Sequence, residues 1–316
     1  MTATGRRFFL HLNAVFGIQN FPRWARVGGW GDRYEVVALT EGDKICATIG
    51  VTVMEGWLGR RQPMPVFQLG AVATRPQDRG RGLARRLLEH VLAEADRHGT
   101  PVLLFANPSV VDFYPRFGFR RLIPDRLFLQ LRPGPETKNA IGRRFDPETL
   151  QDRALLAMWC DRADAHGGIL AVRPDASILL WHLMNTNVTA YVLPKERGLA
   201  FVEVTDRGVM LCDCLSRDGM GHHGLLQALA APYGGRIELG FVPDDLFKEV
   251  PENCPKVFRN LRQENTLSGR SVGGPTIHDS QGENGLIRQP WPEAYMFWRG
   301  PSLPEGILHF PALMMT

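Results

Sequence analysis

Apolar and polar positions change period along the first third of the chain, and the order of the changes predicts helices alternating with strands. Between residues 6 and 16, Phe8, Phe9, Leu12, Val15 and Phe16 fall on helical spacing. Residues 34–40 read as a strand, Glu41-Gly42-Asp43 as a hairpin turn, and 44–54 as the returning strand. Residues 65–74 (PVFQLGAVAT) are apolar enough for a strand buried on both faces. Over 82–98 the helical pattern is strongest: Leu83, Leu87, Leu88, Val91, Leu92 and Ala95 mark one face, and Arg85, Arg86, Glu89, Asp96 and Arg97 the other. Gly99 stands where a helix end needs a residue with positive φ. Val102–Phe105 reads as a short buried strand, 108–116 as a helix with Pro108 in its first turn, and 118–122 as the start of a final strand.

Pro133-Gly134-Pro135 breaks this series, which places a boundary between about 133 and 147. Beyond it the pattern predicts a helix over 148–164, strands over 189–193, 198–204 and 208–215, a helix near 222–231 and a strand over 235–241. That order repeats the order of the first half. The expected organisation is therefore a domain over residues 1–135, a second over 146–255, a mobile polar loop over 262–290, and an apolar, aromatic tail over 291–316 that packs back on the body.

Composition narrows the partners. The 316 residues allow two domains, and 44% hydrophobic with 22% charged residues fits a soluble globular chain. A net charge of +4 comes from scattered arginines rather than a concentrated stripe, which argues against nucleic acid. Arg6-Arg7 before Phe8-Phe9-Leu10 imitates a secretory leader, but His11 and Asn13 interrupt the apolar run. No stretch approaches the roughly 20 apolar residues that cross a bilayer. Five sparse cysteines suit a reducing compartment, so the chain reads as cytoplasmic, without a membrane partner and with oligomerisation left open. Cys212 and Cys214, at alternate positions, would share one face of a strand, with His222 and His223 following; we read them as buried thiols and expect no metal.

The informative loop is Gln77-Asp78-Arg79-Gly80-Arg81-Gly82, between the apolar strand and the strongest helix. A helix N-terminus presents unpaired N–H groups and a positive dipole end, and so attracts phosphate. Gly80 and Gly82 let the backbone turn sharply and approach a diphosphate, while Arg79 and Arg81 add cationic donors. No Gly-Lys-Ser/Thr follows, so this is not a P-loop, and the spacing is not that of a dinucleotide fold.

Here the sequence resembles the GNAT acyltransferases, whose Q/R-x-x-G-x-G/A motif is matched by Gln77, Gly80 and Gly82. Downstream, the run from Asn107 to Phe119 is similar to the family's N-x-x-A-x-x-F-Y-x-x-x-G-F, with Val110 in place of Ala. The resemblance covers roughly residues 5–130. It implies a mixed sheet flanked by helices, α+β in class, with acetyl-CoA as co-substrate. It also implies that the backbone of Ala71, Val72 and Ala73 pairs with the pantetheine arm, that Arg79 to Leu83 hold the diphosphate, and that Asn107 and Tyr114 lie near the thioester.

Tyr114 is the candidate acid for the departing thiolate. Position 68 is Gln, which cannot take a proton; Glu55, Asp112 or a water chain is left for the base. Ser216-Arg217-Asp218-Gly219-Met220-Gly221 resembles a worn second cradle, which makes the second half a degenerate copy that walls the acceptor pocket. Val72 to Pro76 and Phe113 to Gly118 resemble, in particular, the enhanced-intracellular-survival acetyltransferases, in which the chain end enters the first active site. Mycothiol synthase is a tandem alternative of similar length. The expected function is N-acetylation of a small polyamine-like, aminoglycoside-like or amino-thiol acceptor, with Thr316 bringing a carboxylate to the site. The alternatives are a non-catalytic acyl-CoA-binding or sensor protein and a protein or peptide acetyltransferase.

Overall fold

The structure, a computed structural model, describes residues 3–59, 63–131, 141–163, 165–205, 208–216, 222–242, 277–278 and 285–315. Two mixed sheets organise them. The first takes β1 (Tyr34–Glu41), β2 (Lys44–Leu58), β3 (Met64–Thr74), β4 (Val102–Phe105) and β5 (Arg120–Leu122) from the first part of the chain. The second is built on β10 (Thr189–Val192), β11 (Gly198–Thr205), β12 (Gly208–Ser216) and β13 (Arg236–Leu239), with β7 (Arg143–Arg144) at its edge. β8 (His166–Gly167) and β9 (Leu170–Val172) extend the first sheet beside β2.

The two sheets trade a strand. β6 (Asp125–Gln130), which directly follows β5, crosses to the second sheet and lies between β13 and β15 (Gly285–Pro290). β16 (Met296–Arg299), which directly follows β15, crosses the other way and lies between β4 and β5. Each sheet is thus completed by the other half of the chain. The polar stretch 262–290 lies outside the described residues except at 277–278 and 285–290. Those residues are strands rather than loop: β14 (Ile277–His278) pairs with β15, and β15 finds six partners along β6.

Six helices form three layers around the sheets. α3 (Leu83–Arg97) buries its predicted face on the outside of the first sheet, against Ile49, Val51, Leu69, Val102 and Leu104. α6 (His222–Ala230) does the same on the outside of the second, against Leu211, Ile237 and Leu239. Between the sheets, α1 (Ala3–Phe16), α2 (Phe21–Arg26), α4 (Leu150–Arg162) and α5 (Ala176–Asn185) share a single core with β2, β11 and the C-terminal residues Phe310, Leu313 and Met314. α5 escapes sequence reading because ASILLWHLMN is apolar almost all round, as a helix enclosed between layers should be.

Two expectations are corrected. Residues 108–116 are not an α-helix but two 3-10 turns, Pro108–Val110 and Tyr114–Phe117. Pro115 removes a donor and clashes with the preceding turn, and Gly118 at φ +81° stops the second one. Cys212 and Cys214 do not share a face. Between Phe201 and Val202 the β11–β12 register slips by one residue, and the bulge sends Cys212 into the inter-sheet core and Cys214 outward under α6. Both thiols are buried, and burial raises their pKa. The side chains of His222 and His223 lie outside the described residues.

Candidate active site

The site begins with a defect in β3. Register with β2 runs Thr48↔Ala73 and then Gly50↔Gly70, so two residues of β3, Ala71 and Val72, oppose one on β2. Ala71 sits at φ +47°, a left-handed conformation that non-glycine residues adopt only when neighbours enforce it. Its carbonyl accepts a 3.0 Å hydrogen bond from the Thr48 hydroxyl. The bulge also ends the parallel β3–β4 ladder, whose pairs run only from Phe67↔Val102 to Leu69↔Leu104. Beyond them the strands part, and the β3 backbone at Ala71–Ala73 faces the gap. The alternation of apolar side chains did not show this kink; Gly70 was its one local signal.

At the outer end of the gap lies the loop 77–82. Gly80 and Gly82 have φ of +77° and +73°, and a Cβ at either would meet no atom within 4 Å, so this cradle is open. Gly82 provides no side-chain cap for α3, whose first N–H groups are therefore available to an anion. Gln77 and Arg79 are exposed at the rim. Arg81, by contrast, is held by two carboxylates: Nη1 donates to Asp78 at 2.8 Å and Nη2 to Glu41. Asp78 also accepts from Arg75 Nε at 2.6 Å. Glu41, Cys46 and Asp78 bring metal-ligand atoms within 4.8 Å of one another, but the two arginines already pair with the two carboxylates. An acyl-CoA fits what remains: an uncapped helix end for the diphosphate and a free strand backbone for the amide-bearing arm.

Tyr114 is buried on the α3 side of the sheet, in edge contact with Phe113 and Phe119. Burial pushes its phenol up to about 12, so it remains a proton donor throughout the neutral range. Sequence reasoning missed what holds it. Phe297, on the returning strand β16, lies 5.7 Å from the Tyr114 ring, centroid to centroid. Arg299 on the same strand donates from Nε to the Phe117 carbonyl at 3.1 Å and forks onto Asp96 of α3 at 2.6 and 2.9 Å. Asn107 is exposed and caps the first 3-10 turn, its Oδ1 accepting from the Ser109 N–H at 3.0 Å and hydroxyl at 2.8 Å.

On the opposite face of the sheet, the bulge opens into a cavity of about 330 Å³. Gly70, Ala71 and Thr52 form its floor, Phe21, Trp24 and Tyr34 one wall, and Asp175, Ile178 and Trp181 of the second half the other. Trp24 fixes the wall by donating from Nε1 to the Ser177 carbonyl at 2.8 Å. Neither Glu55 nor Asp112 lines it. Glu55 pairs with Arg173 at 2.6 Å, and Asp112 is exposed on the other side of the site. Gln68 is wholly buried, between Thr52 on β2 and Leu103 on β4. Asp175, which no sequence motif singled out, is the one carboxylate among the described lining residues.

The chain end approaches the same wall. The Met315 carbonyl accepts a 2.9 Å hydrogen bond from His182 Nε2. His182 stays neutral because burial lowers its pKa to about 4. Thr316 and its carboxylate lie outside the described residues, as do residues 217–221 of the second loop. Among the described residues no helix is long and apolar enough to cross a membrane.

A bulged, splayed strand pair with a glycine cradle at the head of the following helix defines an acyl-CoA-binding fold of the GNAT type. Residues 3–122 match the acetyltransferase (GNAT) domain model. Two solved structures share the fold over both halves. One is a probable N-acyltransferase from Enterococcus faecalis (12% identity, 93% of this chain and 69% of that one, TM-score 0.56). The other is a GCN5-related N-acetyltransferase from Anabaena variabilis (14% identity, 93% and 69%, TM-score 0.53). Eis1 from Mycobacterium abscessus aligns at 17% identity over 90% of this chain and 71% of that one, with a TM-score of 0.48. No curated protein sequence matches the chain significantly.

Proposed function

We propose that this protein transfers an acetyl group from acetyl-CoA to the amine of a small molecule. The observation that carries the reading is the bulge at Ala71, which lies between the cradle side of the sheet and the inter-sheet cavity. Coenzyme enters from the α3 side, with its diphosphate on the backbone of Arg79 to Leu83 and its arm along Ala71, Val72 and Ala73. The acceptor enters from the inter-sheet side, and the two meet at the gap.

The neutral amine nitrogen attacks the thioester carbonyl carbon, the C–S bond breaks, and the departing thiolate takes the phenolic proton of Tyr114. The proton lost by the new amide nitrogen passes through solvent to restore the phenol. The acceptor gives up its ammonium proton before attack. Asp175, rather than Glu55 or Asp112, is the carboxylate placed to receive it. A cavity walled by α5 of the second half and of about 330 Å³ suits a small acceptor better than a protein surface. The test is a titration of acetyl-CoA into the protein, followed by measurement of thiol release with and without amines. Binding with amine-dependent release supports the reading. Binding with no release from any amine would favour a non-catalytic acyl-CoA-binding protein, and no binding would end both readings.

A further inference from the structure

Resting on the acetyltransferase reading, the walls of the inter-sheet cavity identify the chemistry of the acceptor. We propose that it is a primary amine bearing a single positive charge on an aromatic or otherwise apolar body, and not a polyamine or a polyhydroxylated amino sugar.

The aromatic walls are the first argument. Phe21 and Trp181 lie 4.5 Å apart between centroids, Trp24 and Trp181 5.5 Å, and Trp24 and Tyr34 5.9 Å, the last two edge to face. Each ring is braced by another, so the wall is stiff and offers faces suited to an apolar body or to one cation. The second argument is an account of polar atoms. Trp24 Nε1 is committed to the Ser177 carbonyl, and the Ser177 hydroxyl donates to the Gly29 carbonyl. Asp175 Oδ1 accepts from the Ser177 and Ile178 N–H groups at 2.9 and 3.2 Å. The other polar groups of the lining are the Tyr34 and Thr52 hydroxyls, the Arg33 guanidinium and Asp175 Oδ2, the one carboxylate oxygen toward the cavity, which pairs with Arg33 Nη1 at 3.7 Å.

One carboxylate oxygen satisfies one ammonium. A second ammonium would face the Arg33 guanidinium, and the many hydroxyls of an amino sugar would outnumber the few polar groups that Tyr34, Thr52 and Arg33 set among the rings. The volume of about 330 Å³ lies at the small end of the range for ligand cavities, about 300–1,000 Å³. This proposal differs from the acceptor class that the enhanced-intracellular-survival resemblance implies.

The experiment uses the full chain and three probes: 2-phenylethylamine, spermidine and kanamycin. Binding is read from quenching of tryptophan fluorescence, turnover from thiol release with saturating acetyl-CoA, and coenzyme binding separately by calorimetry. The expected result is a kcat/KM for phenylethylamine at least 100-fold above those for the other two. Replacing Trp181 by Leu, which keeps an apolar side chain in α5, should raise KM for phenylethylamine about tenfold with kcat little changed. Replacing Asp175 by Asn keeps the cap on α5 and should weaken phenylethylamine binding in the fluorescence assay by a similar factor.

If spermidine or kanamycin is the better substrate, the proposal is overturned while the acetyltransferase reading stands. If coenzyme binds but phenylethylamine neither binds nor reacts, the proposal is likewise overturned. If coenzyme does not bind, the underlying reading fails, and the fluorescence assay still decides the cavity: phenylethylamine binding supports its assignment and absence of binding overturns it.

Discussion

The two sheets meet the same structural problem and resolve it differently. In both, a central antiparallel pair carries a bulge on the strand that then runs parallel to its other neighbour: β3 beside β4, and β12 beside β13. In both, that bulge switches which side chains face the inter-sheet core. In the first sheet the resulting gap is floored by Ala71 and opens on a cavity. In the second the gap is plugged by the chain itself. Gly240 continues the β13 side by donating to the Leu211 carbonyl at 2.9 Å, and its own carbonyl accepts from Ala312 N–H at 2.7 Å. The short turn Ala312–Met314 fills what remains. The two bulges therefore differ in what covers them: the chain's own turn Ala312–Met314 in the second sheet, an open cavity in the first.

Five changes test this contrast, from the largest effect to the smallest. Expressing residues 1–131 alone should abolish the fold. That fragment lacks β16, exposes both the β4 and β5 edges, and loses the α4 and α5 side of the shared core. Circular dichroism and size exclusion should show an unfolded or aggregated chain, and a stable monomer would show that the exchange is dispensable. Gly240→Val places a Cβ 2.4 Å from the Cys212 carbonyl and 2.9 Å from Ala312 Cβ, and should cost about 3 kcal/mol of stability without altering the KM for acetyl-CoA.

His182 gives the plug a pH dependence. Its folded pKa of about 4 lies below the ordinary 6.5, so its contribution is intact above pH 6.5 and is lost as pH falls toward 4. The full loss is on the order of 3 kcal/mol, and His182→Gln should remove that acid-side slope from denaturant midpoints measured between pH 7 and 4. In the first sheet the expected losses are of function. Tyr114→Phe should keep the ring packing and the melting temperature while lowering kcat about 100-fold. Gly82→Val, in an open but left-handed position, should weaken acetyl-CoA binding about tenfold by calorimetry and cost about 1–2 kcal/mol of stability.

The first sheet was largely legible because its signals are local. α3 announces itself by periodicity, and the loop 77–82 by two glycines between a strand and that helix. What was not legible depends on partners far away in sequence. Phe297 and Arg299 hold the Tyr114 turn from some 180 positions away, and Asp175 enters the cavity from a helix whose all-apolar pattern carries no face. The kink at Ala71 reads as an unbroken apolar strand, since alanine fits either side of a sheet. Cys212 and Cys214 misled for the same reason: alternation predicts a shared face until a single extra residue reverses it.

The exchange of β6 and β16 has a consequence for synthesis on the ribosome. The strand that closes the first sheet beside Tyr114 is Met296–Arg299, made long after the cradle and the Asn107–Phe119 run. Until it emerges, β4 and β5 lack the neighbour that separates them, while β6 waits for β13. Neither half can fold early and be finished with. Chains interrupted before residue 296 would carry the whole cradle yet lack the strand that braces Tyr114, so an ordered Tyr114 turn certifies that translation passed β16.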